Sequence, residues 1–179
     1  MTKSRIPREV LPVGAVMAVP EVPVEKVTRS LEEFFGQEPV LFDEFSVQDF
    51  TDYYNEEMGP DIRKWFYYVP ALKEVEGSEQ WKRRTIQLES EFAEKYDMNR
   101  PVNIDPGYLT LSKLILFSTK GFAHRIYIRD DIYAEVTLQF RHKEFHPVPW
   151  TFQDYQTEFA FEFWTKARKV LRGLLGNQV

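Results

Sequence analysis

The sequence predicts one α+β domain: a ferredoxin-like (split βαβ) first half, extended by an antiparallel β-meander and closed by a C-terminal helix. Three observations carry this. Hydrophobic patterns of strand and helix type follow one another as strand, helix, two strands, helix, several strands, helix. The clearest pair of alternating runs is separated only by Arg129-Asp130-Asp131, the spacing of a hairpin rather than a crossover. A chain of 179 residues is long enough to bury a core without disulfides or metal.

Taken in order, residues 1–12 read as a loose N-terminal arm with basic residues and prolines, and residues 13–179 as the domain. Residues 13–19 are valine-rich and bounded by Pro12 and Pro20, the pattern of a buried strand. Pro23 suits the first turn of a helix whose stripe is Val24, Val27, Leu31, Phe34 and Phe35, and Gly36 is a natural stop. Residues 39–45 read as a second strand and 65–69 as a third, although Ile62, Trp65, Phe66 and Val69 also fit one helical face. Residues 51–60 between them are polar and turn-rich.

Ser78 is a candidate cap for a helix over 79–97 with the stripe Trp81, Thr85, Leu88, Phe92 and Tyr96. Residues 102–105 form a short strand pattern before a turn signal, Pro106-Gly107, and a further strand is expected over 113–119. For the hairpin over 124–128 and 132–140, a three-residue loop sets Ile128 against Ile132, Tyr127 against Tyr133 and Arg125 against Glu135. That register gathers Arg125, Tyr127, Tyr133 and Glu135 on one face and leaves Ile126, Ile128, Ala134 and Val136 for the core. Residues 159–175 form an amphipathic helix with Phe163, Ala167, Val170 and Leu174 on one stripe and Trp164 and Leu171 beside it. The cations Lys166, Arg168, Lys169 and Arg172 read as its solvated face near the carbonyl end.

Composition narrows the function classes. The absence of cysteine excludes disulfides, thiolate metal sites and cysteine nucleophiles. No leader pattern and no apolar run of membrane-spanning length are present, so a cytoplasmic, non-membrane protein is expected. A net charge of −5 gives no long-range pull toward nucleic acid, which is disfavoured as a partner. An aromatic share of 16% fits either a heavily aromatic core or an aromatic-lined cleft.

Five segments stand out together: YYNEEMG (53–59), RPVNIDPGYLTLSKLILFSTK (100–120), HRIYI (124–128), IYAEVTL (132–138) and WTFQDY (150–155). In order and spacing they resemble the prokaryotic family known as domain of unknown function 4416, over roughly residues 13–170. Two positions depart from the family pattern: Gln153 stands where Pro is frequent, and Thr85-Ile86 where Thr-Asn is frequent. The resemblance implies a common fold and carries no activity with it. Some members bear a GTP-binding label, but this chain has no Gly-rich loop ending in Lys-Ser or Lys-Thr.

The polar face of the hairpin is the leading site candidate. Arg125 offers a planar fork for phosphate or carboxylate, and Lys120 a second cation. Glu135, Asp105 and Glu57 are candidates for acid/base work or Mg2+ contacts, and Tyr53, Tyr127 and Tyr133 for packing against a ligand. Asn103 and Asp105 end a strand, where functional groups often sit, but an Asx-type turn is the plainer use of Asp105. His124 is a further acid/base candidate, with a satisfied core histidine as the plainer reading. His142 and His146 are spaced for a helix but lie at a strand end and loop, a poor setting for a metal. Two functions fit: binding of a small anionic molecule such as a nucleotide or phosphorylated metabolite, with or without chemistry on it, or a protein-interaction or homo-oligomerising module. A concave pocket holding Arg125, Glu135 and Asp105 would favour the first, and a flat apolar patch the second.

Overall fold

The computed structural model describes residues 8–176. Its centre is the strand β1 (Glu9–Ala18), buried from Val10 onward, because both faces of the sheet are covered there. Of the expected arm, residues 1–7 lie outside the described residues, and Glu9–Pro12 belong to β1. Leu11, Val13 and Ala15 pack in one hydrophobic cluster and Val16 and Ala18 in another, the two-residue alternation of a strand between two layers.

The remaining elements, in chain order, are α1 (Val24–Phe35), β2 (Val40–Leu41), β3 (Phe45–Ser46), α2 (Asn55–Met58), β4 (Arg63–Tyr68), β5 (Lys73–Glu74), α3 (Gln80–Tyr96), β6 (Val102–Leu109), β7 (Lys113–Ser118), β8 (Ile126–Arg129), β9 (Ile132–Arg141), β10 (Glu144–Pro147) and α4 (Glu158–Gly176). The strands make one antiparallel sheet in the order β10-β9-β7-β6-β1-β4-β2, with β3 on β4, β5 on β1 and β8 on β9. Helix α1 connects β1 to β2, which flank β4, and α3 connects β4 to β6, which flank β1. The mixed α/β architecture with a large antiparallel sheet and a closing helix is therefore as expected.

Val27, Leu31 and Phe35 of α1 and Leu88 and Phe92 of α3 pack on one face of the sheet with Trp65, Tyr67 and Ile104. Phe163, Trp164, Ala167 and Leu171 of α4 pack on the other with Phe66, Leu114 and Leu138. Phe66 is the hub of an aromatic core here, with ring centroids 4.7 Å from Tyr155, 5.1 Å from Phe45 and 5.2 Å from Trp164. Much of the aromatic content is thus core.

Several local expectations are corrected. The strand expected over 39–45 is two short pairings with β4, Leu41 opposite Tyr67 and Phe45 opposite Lys64, because this side carries one residue more than β4 between them. Glu79, not Ser78, is the N-cap of α3, and it makes no side-chain cap bond. Pro106-Gly107 is not a turn: β6 runs through it, pairing Gly14 with Pro106 and Gly107 with Leu116. Gly107 is needed because a Cβ there would lie 1.9 Å from the carbonyl oxygen of Ile115.

The β8–β9 hairpin keeps Tyr127 opposite Tyr133 but sets Arg129, not Ile128, against Ile132. A bulge at Ile128 absorbs one residue, and Asp130 and Asp131, with φ of 50° and 60°, form a two-residue turn. The bulge restores the facing that a plain two-residue loop would have lost. The strand β8 is exposed throughout, so Ile126 and Ile128 do not fill the core. His142 forms, with Lys143, the tight turn from β9 to β10, and His146 lies within β10.

Candidate functional site

Strands β6 and β7 are paired only from Gly107↔Leu116 to Leu109↔Leu114. Beyond that point they part, and the reason is legible in the backbone. The N–H and C=O of Ile104 both point away from β1: the N–H donates to Glu89 Oε1 (2.7 Å), and the C=O accepts from Lys82 Nζ (2.8 Å). By the alternation of an antiparallel strand, Pro106 turns its nitrogen to the same side, where it has no N–H to offer a partner strand. Two side chains of α3 thus satisfy an edge that β7 leaves unpaired.

A cavity of about 490 Å³ opens in this region, bounded by β6 and α3, by β7, β9 and the loop between β7 and β8, and by the segment leading into α4. It lies in the size range of small-molecule sites. All five segments that carry the family resemblance contribute to its lining, among them Tyr53, Arg100, Asn103, Asp105, Lys120, Arg125, Glu135, Trp150 and Tyr155.

On the β6 wall, polar groups form a chain. Glu57 pairs with Arg100, Arg100 donates to Asn103 Oδ1, Asn103 Nδ2 donates to Asp105 Oδ2 (2.9 Å), and Lys82 Nζ lies 3.3 Å from Asp105 Oδ1. Burial alone would raise the Asp105 carboxyl. The nearby ammonium groups of Lys82 and Lys64 and the bond from Asn103 outweigh it and hold the group below the usual carboxylate range. The side chain of Asp105 is still 32% accessible, so this anion faces the cleft. Glu89 moves the opposite way: burial raises its carboxyl, and Lys82 and the Ile104 N–H offset only part of that.

On the opposite wall, Glu135 of β9 accepts at Oε2 from Arg125 Nε (2.6 Å) and bonds His124 Nε2 (2.9 Å). Arg125 also donates from Nη1 to Ser118 Oγ (2.8 Å) and to the carbonyl of Lys120 (2.9 Å). No bond from its Nη2 to a described residue is formed. Glu135 is 3% exposed, and its Oε1 has no hydrogen-bond partner among the described residues.

The floor and mouth are built by the segment before α4. Lys64 and Asp154 form a buried ion pair (2.6 Å), with Lys64 Nζ also 5.1 Å from the centre of the Tyr155 ring. Trp150 Nε1 donates to Val136 O (2.8 Å) and Thr151 Oγ1 to Thr137 O, pinning the segment to β9 between the stretches that β8 and β10 cover. Tyr155 stacks on Trp164 at 5.8 Å. Burial first, then Asp154 and Asp105, push its phenol well above the usual range, so it stays a neutral O–H donor. Tyr53, Phe122, Trp150 and Phe152 are exposed around the mouth.

Of the residues singled out in the sequence, Asp105, Asn103, Lys120, Arg125, Glu135 and Tyr53 line one cleft. Glu57 and His124 stand one bond behind it, on Arg100 and Glu135. His124 is half-buried at the mouth, stacked on Trp150 at 5.0 Å, rather than turned into the core. Tyr127 and Tyr133 are not lining residues and pack on each other at 5.5 Å. Sequence reasoning passed over Lys82, Lys64, Arg100, Asp154 and Tyr155. Lys82 had a signal: Lys82, Thr85 and Glu89 recur at helical spacing beside the apolar stripe of α3, where solvent-facing charge is not expected.

Among the described residues no group of three or more His, Asp or Glu side chains is placed to hold a metal, and no helix is long and apolar enough to cross a membrane. Both Asp105 oxygens are engaged by Lys82 and Asn103, so a Mg2+ contact there would displace one of those bonds. No curated protein and no solved structure matches the chain. The model of the family described as Domain of unknown function (DUF4416) matches residues 9–170, and the chain belongs to that family.

Proposed function

We propose that this protein binds a small anionic ligand, of the nucleotide or phosphorylated-metabolite class, in the cleft between β6 and β7, and that it does so in the cytosol. The observation that carries the reading is convergence: polar side chains from α3, β6, β9, the loop between β7 and β8 and the α2 region meet in one concave site under a rim of exposed aromatic rings. Lys120 supplies the anchor for the anion. It lies at the mouth, and its ammonium bonds only the Tyr53 hydroxyl (2.8 Å), with no carboxylate partner among the described residues. Arg125 adds its uncommitted Nη2. The rings of Tyr53, Phe122 and Trp150 offer stacking surface for a planar or apolar part of the ligand. Glu135 and Asp105 are the carboxylates positioned for acid/base work.

A thermal-shift screen against nucleotides and sugar phosphates, with and without Mg2+, tests this. A ligand at 100 times its Kd stabilises the native state by ~2.7 kcal/mol. The stabilisation should vanish in Lys120→Ala, whose own melting temperature should match the parent. No shift with any anionic compound would defeat the reading.

At the level of fold, we read the inner strands as a ferredoxin-like unit, supported by the order β6-β1-β4-β2 and by α1 and α3 as the connections between non-adjacent strands. A second functional reading, self-association or protein binding, is favoured by one observation: β8 is an edge strand with Ile126 70% exposed and Tyr127 and Ile128 beside it. Light scattering of the parent and of Ile126→Lys tests it, since only an assembly through β8 would dissociate.

A further inference from the structure

Buried polar side-chain atoms in folded proteins are nearly always paired, so each exception asks for an explanation. Among the described residues, the side-chain atoms buried without a hydrogen bond are Tyr67 Oη, Glu135 Oε1, Thr137 Oγ1, Asp154 Oδ2, Tyr155 Oη and Trp164 Nε1. Three of these residues line the cleft: Glu135, Asp154 and Tyr155. Asp154 Oδ2 is not without a counter-group, since Lys64 Nζ is 2.6 Å away. That leaves one carboxylate oxygen and one phenol hydroxyl, each buried on a residue that lines the same cavity, the residues being 3% and 1% exposed.

The two are complementary in kind. Glu135 Oε1 can only accept, because Arg125 and His124 hold the other oxygen of this carboxylate. Tyr155, kept as a neutral phenol by its burial and by the carboxylates near it, has a proton to donate. A ligand hydroxyl is the small group that donates and accepts at once. Neither a bare phosphate ester nor an aromatic ring offers that combination.

We propose that the interior of the cleft recognises a hydroxyl-bearing anion, such as a sugar or polyol phosphate or the ribose of a nucleotide, with Glu135 Oε1 accepting from and Tyr155 Oη donating to ligand hydroxyls. This deepens the anion-binding reading and rests on it. The rim cations hold the charge, and the buried pair reads the hydroxylated part. A site built to hydrogen-bond a ligand hydroxyl discriminates strongly against analogues without one, because its own polar groups are then left unpaired.

Tyr155→Phe is the cleanest variant, because it removes a hydroxyl that no described residue holds. The free protein should be as stable as the parent or more so. Calorimetric titration with glucose 6-phosphate, ribose 5-phosphate and AMP, against phenyl phosphate as an ester without a hydroxyl on its carbon skeleton, separates the outcomes. The inference expects at least one hydroxylated probe to bind the parent, to bind Tyr155→Phe about tenfold more weakly, and phenyl phosphate to be unaffected. Glu135→Gln should erode the same preference. If Tyr155→Phe weakens nothing, or weakens all probes equally, the hydroxyl inference is overturned while anion binding stands. If no probe binds the parent, both readings fall.

Discussion

The two halves of β6 make an instructive contrast. From Gly107 to Leu109 the strand is paired on both sides, to β1 and to β7, and Leu109 is fully buried in the core under α4. From Val102 to Pro106 it is paired only to β1, and its free edge is met by a lysine and a glutamate from α3. One strand thus changes from scaffold to wall of a cavity within a few residues. The backbone hydrogen bonds that are not made to β7 are made to charged side chains, and those side chains bring the network that ends at Asp105 into the cleft.

The largest expected effect comes from breaking the closed half. Gly107→Ala would place a methyl group 1.9 Å from the Ile115 carbonyl oxygen, a clash with backbone that no rotamer change relieves. Overpacking of this kind costs ~3 kcal/mol or more, so urea unfolding should show a strongly destabilised or insoluble protein. An unchanged midpoint would mean that β6 and β7 are not held as closely as described. A comparable effect should come from the open half. Lys82→Met keeps the aliphatic stem and drops the charge, leaving the Ile104 carbonyl only the long bond from Thr85 Oγ1 (3.4 Å) and Asp105 and Glu89 without their shared cation. Removing one partner from a buried ionic group costs ~3 kcal/mol. If Lys82→Met melted like the parent, β6 would not depend on α3 for its edge.

The same contrast separates what the sequence made legible from what it did not. The helices and the long strands could be read because their signals are periodic: the stripe of Val27, Leu31 and Phe35, the valines of β1, the alternation through β9. The hairpin placed Tyr127 opposite Tyr133 and brought Arg125 to Glu135, since the bulge at Ile128 keeps the alternation of β8 in step with that of β9. The bulge at Ile128 was not readable, because a two-residue turn with a bulge and a three-residue turn leave nearly the same pattern of faces. Pro106-Gly107 misled for a physical reason. Proline and glycine signal a turn, but here proline marks an edge without a pairing partner and glycine a close approach of two backbones. Lys64 and Asp154 were hidden because nothing local distinguishes a buried charge from a solvated one, and only the packing of the segment before α4 on β4 reveals them. Lys82 differs in that its helical spacing with Thr85 and Glu89 marks the face of α3 it lies on, although its partners on β6 show only in the packing.

A smaller, opposed pair of effects should appear in the pH dependence of stability, and it sharpens the contrast within the open half. Asp105 has a native carboxyl held below its unfolded value, so its contribution is fully present above the unfolded value and is lost as pH falls through the native one. Glu89 has a native carboxyl raised above its unfolded value. Its ionisation therefore opposes folding, so stability is lost as pH rises from the unfolded value through the native one and is regained on acidification. Both carboxylates face Lys82, and their opposed slopes fall in successive pH windows, that of Asp105 at the more acid end. Replacing Asp105 by Asn should reduce the loss of stability at the acid end. Replacing Glu89 by Gln should reduce the loss as pH rises above the ordinary glutamate range, although it also exchanges a charged acceptor of the Ile104 N–H for a neutral one. Urea unfolding from neutral pH into the acid range measures both slopes. Identical slopes in the two variants would show that Asp105 and Glu89 experience the same surroundings, and the division of β6 into an accessible cleft side and a buried helix side would have to be abandoned.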